Sequence, residues 1–246
     1  MVNNRRVVFL VALTVLALSF SACTVDRFRV GSMQTDVKTI EVGNAETVRA
    51  EIRMGVGEIE ISGGADELME AGFTYNVDEL EPQVSYEVSG STGRLVVEHR
   101  DVEGLPIGDY DDVRSEWVLR FNEDIPIDLR LTMGAAKGDI DLVGFNLTSL
   151  DFELGAGEGD LWLGNSPIRS MDLQMGAGDF TLDMTAGWEQ DLNAEITGGV
   201  GKLTIYLPSD VGVVVDVTMG IAAVETRGMS KNGDTYTNDA YGESDV

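Results

Sequence analysis

The side chains able to do chemistry in this chain are chiefly carboxylates. They recur beside glycines: Glu58, Asp139, Asp141, Glu158, Asp160 and Asp179 each stand within a few residues of a Gly-containing step. Carboxylate oxygens of this kind hold calcium when a loop gathers enough of them around one ion. Two such groups flanking a glycosidic bond would serve as general acid and nucleophile. The acids here return at the same repeat position, no pair differs from its copies, and Lys202 and Ala223 take the acid's place in two copies. The metal candidates are therefore the weak set Glu58, Asp139, Glu158, Asp160 and Asp179, and a solvated acidic rim is the plainer reading.

Other reactive groups are scarce. Nucleophilic catalysis needs a nucleophile and a base, normally histidine. The chain has one histidine and one cysteine. His99 closes the alternating run Leu95-Val96-Val97-Glu98 and reads as an exposed strand-end residue. Structural zinc needs several Cys or His ligands. No catalytic residue and no cofactor is expected.

The cysteine has a different use. Arg5 and Arg6 precede a nearly unbroken apolar run, Val7 to Phe20, and Ser21-Ala22-Cys23 follows. The apolar stretch is short for a bilayer span, which needs about 20 residues. It reads as a secretory leader ending in a lipobox-like site, residues 1–22, with Cys23 as the acylated first residue of the mature chain. Without the leader, 15 basic residues face 43 acidic ones, a formal charge of −28. Such a surface repels nucleic acid, whose binding rests on Lys and Arg contacts to phosphate. The apolar fraction of 43% nevertheless supports a packed core.

The elements that must position these groups form an internal repeat. Met133-Gly134-Ala135, Leu154-Gly155-Ala156-Gly157, Met175-Gly176-Ala177-Gly178, Gly199-Val200-Gly201 and Met219-Gly220-Ile221 align, with first glycines 21, 21, 23 and 21 residues apart. An earlier copy, Met54-Gly55-Val56-Gly57, stands alone. Apolar residues alternate on either side of the glycines, as in Leu150, Phe152, Leu154 and Phe180, Leu182, Met184. A period of two marks strands with one buried face. Each copy thus reads as two short strands around a glycine turn, with Val56, Ala156, Ala177 and Val200 at a crowded inward corner. The fold expected is all-β: a single-stranded, right-handed β-helix or solenoid-like stack of ~21-residue repeats. The alternative is an antiparallel β-meander or sandwich in which each Gly-x-Gly is a hairpin turn.

The run Trp117-Val118-Leu119-Arg120-Phe121 through Ile125-Pro126-Ile127-Asp128-Leu129 to Met133-Gly134-Ala135 resembles bacterial toast-rack domain proteins. So do Phe145 to Leu150 leading into Leu154-Gly155-Ala156-Gly157, and Leu68 to Glu98 with Phe73-Thr74-Tyr75-Asn76 and Pro82. The resemblance implies a β-helix-like stack in a cell-envelope protein, with relatives tied to antibiotic-stress responses and to adhesion, and it transfers no catalytic residues. The organisation expected is a leader (1–22), a flexible tether (23–40), an N-terminal toast-rack-like β region (41–130), a Gly-x-Gly β-repeat stack (131–228) and a C-terminal loop (229–246) that reads as truncated. The function expected is that of a non-catalytic envelope lipoprotein, exported and lipid-anchored at the outer face of the bacterial membrane or envelope. It would present a β-repeat scaffold to a protein or peptide partner in the envelope-stress response. Alternatives are a calcium-stabilised adhesin-like module and a carbohydrate-active enzyme.

Overall fold

The structure, a computed structural model, describes residues 30–100, 112–218 and 223–242. The leader, Cys23, and Gly220 of the last repeat lie outside them. Thirteen strands are described: β1 (Gln34–Ile40), β2 (Thr47–Ser62), β3 (Met69–Tyr75), β4 (Pro82–Ser89), β5 (Thr92–His99), β6 (Ser115–Phe121), β7 (Ile127–Asp141), β8 (Leu147–Trp162), β9 (Ser170–Asp183), β10 (Asn193–Tyr206), β11 (Val214–Asp216), β12 (Ser230–Asn232) and β13 (Thr235–Thr237). Ten form one mixed sheet with the path β1-β3-β6-β2-β7-β8-β9-β10, β5 and β4 joining beside β2.

The repeats are parallel. β7, β8, β9 and β10 pair successively in parallel, with Ala135, Ala156, Ala177 and Val200 in register. Met54–Gly57 does not stand alone: β2 pairs in parallel with β7 over Val48–Ile61, placing Val56 beside Ala135. The copy looks isolated in sequence because residues 63–126 leave the run and return. The parallel pairing corrects the antiparallel alternative for the repeats. It also corrects the two-strand reading, since each copy is one strand of 14 to 16 residues with the glycines inside it.

What the glycines do is reverse the pleat. In β8 the buried positions are Leu150, Phe152 and Leu154, then Leu161 after the step; in β9 they are Met171, Leu173 and Met175, then Phe180 and Leu182. The parity changes across Gly155–Gly157 and Gly176–Gly178, so the apolar side chains of both arms reach one core, as in a bulge. The residues between the glycines therefore face outward. Ala135, Ala156 and Ala177 are exposed, and Val200 is 77% exposed. Only Val56 is buried, because Val77, Leu80 and Val113 cover it. Ala156, Ala177 and Val200 therefore do not occupy the crowded inward corner expected of them.

Two boundaries also shift. Residues 34–40, expected within the tether, form β1, which pairs antiparallel with β3 from Gln34–Tyr75 to Ile40–Met69. The C-terminal loop contains a hairpin: β13 pairs with β12 and with β11 in a separate small sheet. Asn238 ties it to the chain, donating from Nδ2 to the carbonyls of Val211 (2.7 Å) and Pro208 (3.2 Å) and accepting from the Val213 N–H (2.9 Å). The core itself runs from Val48 and Ile52 through Phe152 and Phe180, whose rings lie 5.2 Å apart.

Candidate functional site

The two edges of β2 explain where polar groups collect. One edge pairs with β7 throughout. The other divides, its first arm going to β5 (Thr47–Arg53) and its second to β6 (Glu58–Ser62). Between them Gly55 has no strand partner on that side, and a bare buried N–H there would be costly. His99 supplies the acceptor: the Gly55 N–H donates to Nδ1 at 3.0 Å. That fixes the tautomer, so Nε2 carries the proton and donates to Ser115 Oγ at 2.9 Å. The ring meets Trp117 edge-on at 4.7 Å and is 1% exposed. Burial lowers its pKa to about 4.

This corrects the expectation of an exposed strand-end histidine. Alternation placed His99 correctly on β5 but could not show that β5 ends where the sheet divides. A Ser–His pair invites a hydrolase reading, yet the protons stand the wrong way round. A base must offer a free ring nitrogen to the serine hydroxyl, whereas here the free nitrogen is held by a backbone N–H. The pair is a plug at the branch point.

The outer face of the first arms carries an open groove of about 590 Å³. Register sets Glu51, Arg130, Asp151, Asp172 and Glu195 in one row across β2, β7, β8, β9 and β10. Arg94 reaches Glu51 at 2.9 Å, and Arg130 donates through Nε (2.9 Å) and Nη2 (2.5 Å) to Asp151. Arg53 binds both Glu51 and Glu98. The Glu98 hydrogen bond raises the Arg53 pKa, and the Asp151 bond raises that of Arg130. Among the described residues Asp172 and Glu195 make no ion pair. One end of the groove thus carries arginines paired with acids, and the other is acidic and open. Sequence reasoning missed it, because the row is assembled by register between strands about 20 residues apart.

The metal candidates stand on the second arms, all exposed. Glu58, Lys137, Glu158, Asp179 and Lys202 form one row, so two lysines interrupt the acids. Asp139 and Asp160 lie in the next row with Glu60. Among the described residues no three His, Cys, Asp or Glu side chains converge on a position that could hold a metal ion. The structural glycines do come together. A Cβ on Gly157 would lie 1.9 Å from the Ala136 carbonyl oxygen, and one on Gly178 would lie 1.8 Å from that of Gly157. Gly134, Gly155, Gly176 and Gly199 form a second column, where a Cβ would lie 2.0 to 2.8 Å from the neighbouring carbonyl oxygen.

Comparison with known proteins agrees with this geometry. The family model described as the N-terminal domain of toast_rack, DUF2154, matches residues 29–167 and again 148–206. Among solved structures, the chain is similar to a candidate cell adhesion protein from Clostridium sporogenes ATCC 15579. The two share 27% identity and a TM-score of 0.66, over 87% of this chain and 91% of that one. A candidate adhesin from Bacteroides fragilis NCTC 9343 matches at 11% identity and a TM-score of 0.26, over 71% of this chain and 97% of that one. No curated protein matches the chain.

Proposed function

The chain belongs to the toast-rack N-terminal domain family, and on that premise we propose that it is a non-catalytic, adhesin-like scaffold of the cell envelope. Its repeated strands read as a solenoid-like stack whose outer groove contacts a protein or peptide. The observation that carries this reading is the single row from Glu51 to Glu195, which offers both signs of charge at a fixed strand spacing. Arginine forks suit carboxylates, and the unpaired Asp172 and Glu195 suit basic side chains. A polypeptide bearing both would lie across the groove. The similarity to the Clostridium sporogenes protein supports the adhesive sense of the contact.

Export by the leader and lipid attachment through Cys23 complete the proposal. Among the described residues no helix is long and apolar enough to cross a membrane. Two or more acyl chains on the N-terminal cysteine would give stable anchoring, where one alone would not.

The test is capture of intact cell surfaces by the immobilised chain, with Arg94→Ala and Arg130→Ala combined. Capture is expected to weaken at least about tenfold, since truncating recognition charges costs about 1.4 kcal/mol or more. The melting temperature should barely move, because exposed ion pairs contribute little. Unchanged capture would remove the groove from the proposal. The calcium alternative has its own readout in the same preparation: Tm in chelator and in millimolar calcium should coincide.

A further inference from the structure

Among the described residues the parallel run ends at β10, which pairs with β9 along one edge and closes the strand path. Its inward residues Ile196, Leu203 and Ile205 sit beside the buried Leu173, Phe180 and Leu182 but are themselves only half-buried. Val200 and Tyr206 are 77% and 52% exposed. A long apolar edge of this kind is a template for another strand unless charge guards it. β10 has one acid, Glu195, and one base, Lys202. In a chain of net charge −26, the two charges of this strand cancel, so the edge lacks the repulsion that would keep copies apart.

The placement of those two charges selects the occupant. A two-fold axis through the glycine step, perpendicular to the sheet, runs β10 antiparallel to β10 of a second copy. Because Glu195 and Lys202 lie on opposite sides of Gly198–Gly201, the axis brings Glu195 of each copy opposite or diagonal to Lys202 of the other. Both positions are within cross-strand reach. The pleat reversal keeps inward residues together as well, so Ile196 meets Leu203 of the other copy and the two open core ends cover one another. We propose that β10 is a self-association edge, pairing antiparallel with β10 of a second copy to form a closed dimer. The contact uses the same surface twice and stops at two.

The experiment is sedimentation of the full chain in detergent, with three variants. The wild type should be dimeric. Lys202→Glu places like charges together at both ends and should raise the dissociation constant at least about tenfold, as should Glu195→Lys. Glu195→Lys with Lys202→Glu restores opposite charges and should restore the dimer. Both sites are exposed, so thermal unfolding of all three variants should match the wild type. A monomeric wild type would overturn the proposal; it is the result expected if the chain's own Val213–Thr218 arm covers β10. A dimer indifferent to single and double replacements would overturn it equally.

Discussion

Gly178→Ala is expected to destabilise the protein by about 4 kcal/mol or more, lowering Tm by roughly 10 °C in thermal unfolding. Two costs combine. Gly178 has φ +130°, where a non-glycine residue is strained by about 1–3 kcal/mol. The new Cβ would also stand 1.8 Å from the Gly157 carbonyl oxygen, so β8 and β9 must separate at the bend. Those atoms are backbone and cannot swing aside. Gly187→Ala is the control: nothing lies within 4 Å of its Cβ position and its φ is unremarkable, so its Tm should be close to wild type. Equal behaviour of the two variants would show that the glycine columns do not hold the strands together.

The second large effect concerns His99. Its folded pKa is about 4, against about 6.5 for the free side chain. The depressed value means that the unfolded chain takes up a proton that the folded chain refuses. The neutral ring's contribution is therefore intact above about pH 6.5 and is lost as pH falls toward 4. The loss amounts to about 3 kcal/mol over that window. Replacing His99 by Leu should cost about 2–4 kcal/mol at pH 7, because the Gly55 N–H and Ser115 Oγ lose their partner in a buried setting. The variant should also lose this part of the acid sensitivity. Denaturant unfolding of both proteins between pH 4 and 7 reads the two effects together. Parallel stability curves would contradict a buried neutral imidazole.

These two positions differ in how far sequence alone reveals them. The glycine columns were visible as a period near 21, because each strand meets its neighbour backbone to backbone at two places per repeat, and glycine fills both except in β7, where Ala136 stands at the second. The alternation around them gave the strands and the core residues from Leu150 to Leu182. Whether neighbours were parallel was not visible, since Gly-x-Gly suits a bulge and a hairpin turn alike. The outward aspect of Ala156 and Val200 followed from the same choice. Once the step is a pleat reversal inside one strand, the residue between the glycines must point away from the core. His99 and the Glu51–Glu195 row were hidden for another reason. Each depends on which strands become neighbours, and the excursion of residues 63–126 separates β2 from β7 in sequence while leaving them adjacent in space. The C-terminal hairpin was hidden because its strands have only three residues each, too few to show a period.

The most direct measurement of the parallel, in-register stack is a distance between spin labels at Glu58→Cys and Lys202→Cys. The sole native cysteine would be replaced as Cys23→Ser, and the labelled chain diluted in unlabelled chain. Glu58 and Lys202 end one row crossing β2, β7, β8, β9 and β10, four spacings of about 4.8 Å, so a single distribution centred near 19 Å is expected before label length is added. A distribution beyond about 30 Å, or two separate populations, would mean that the glycine steps do not align from β2 to β10.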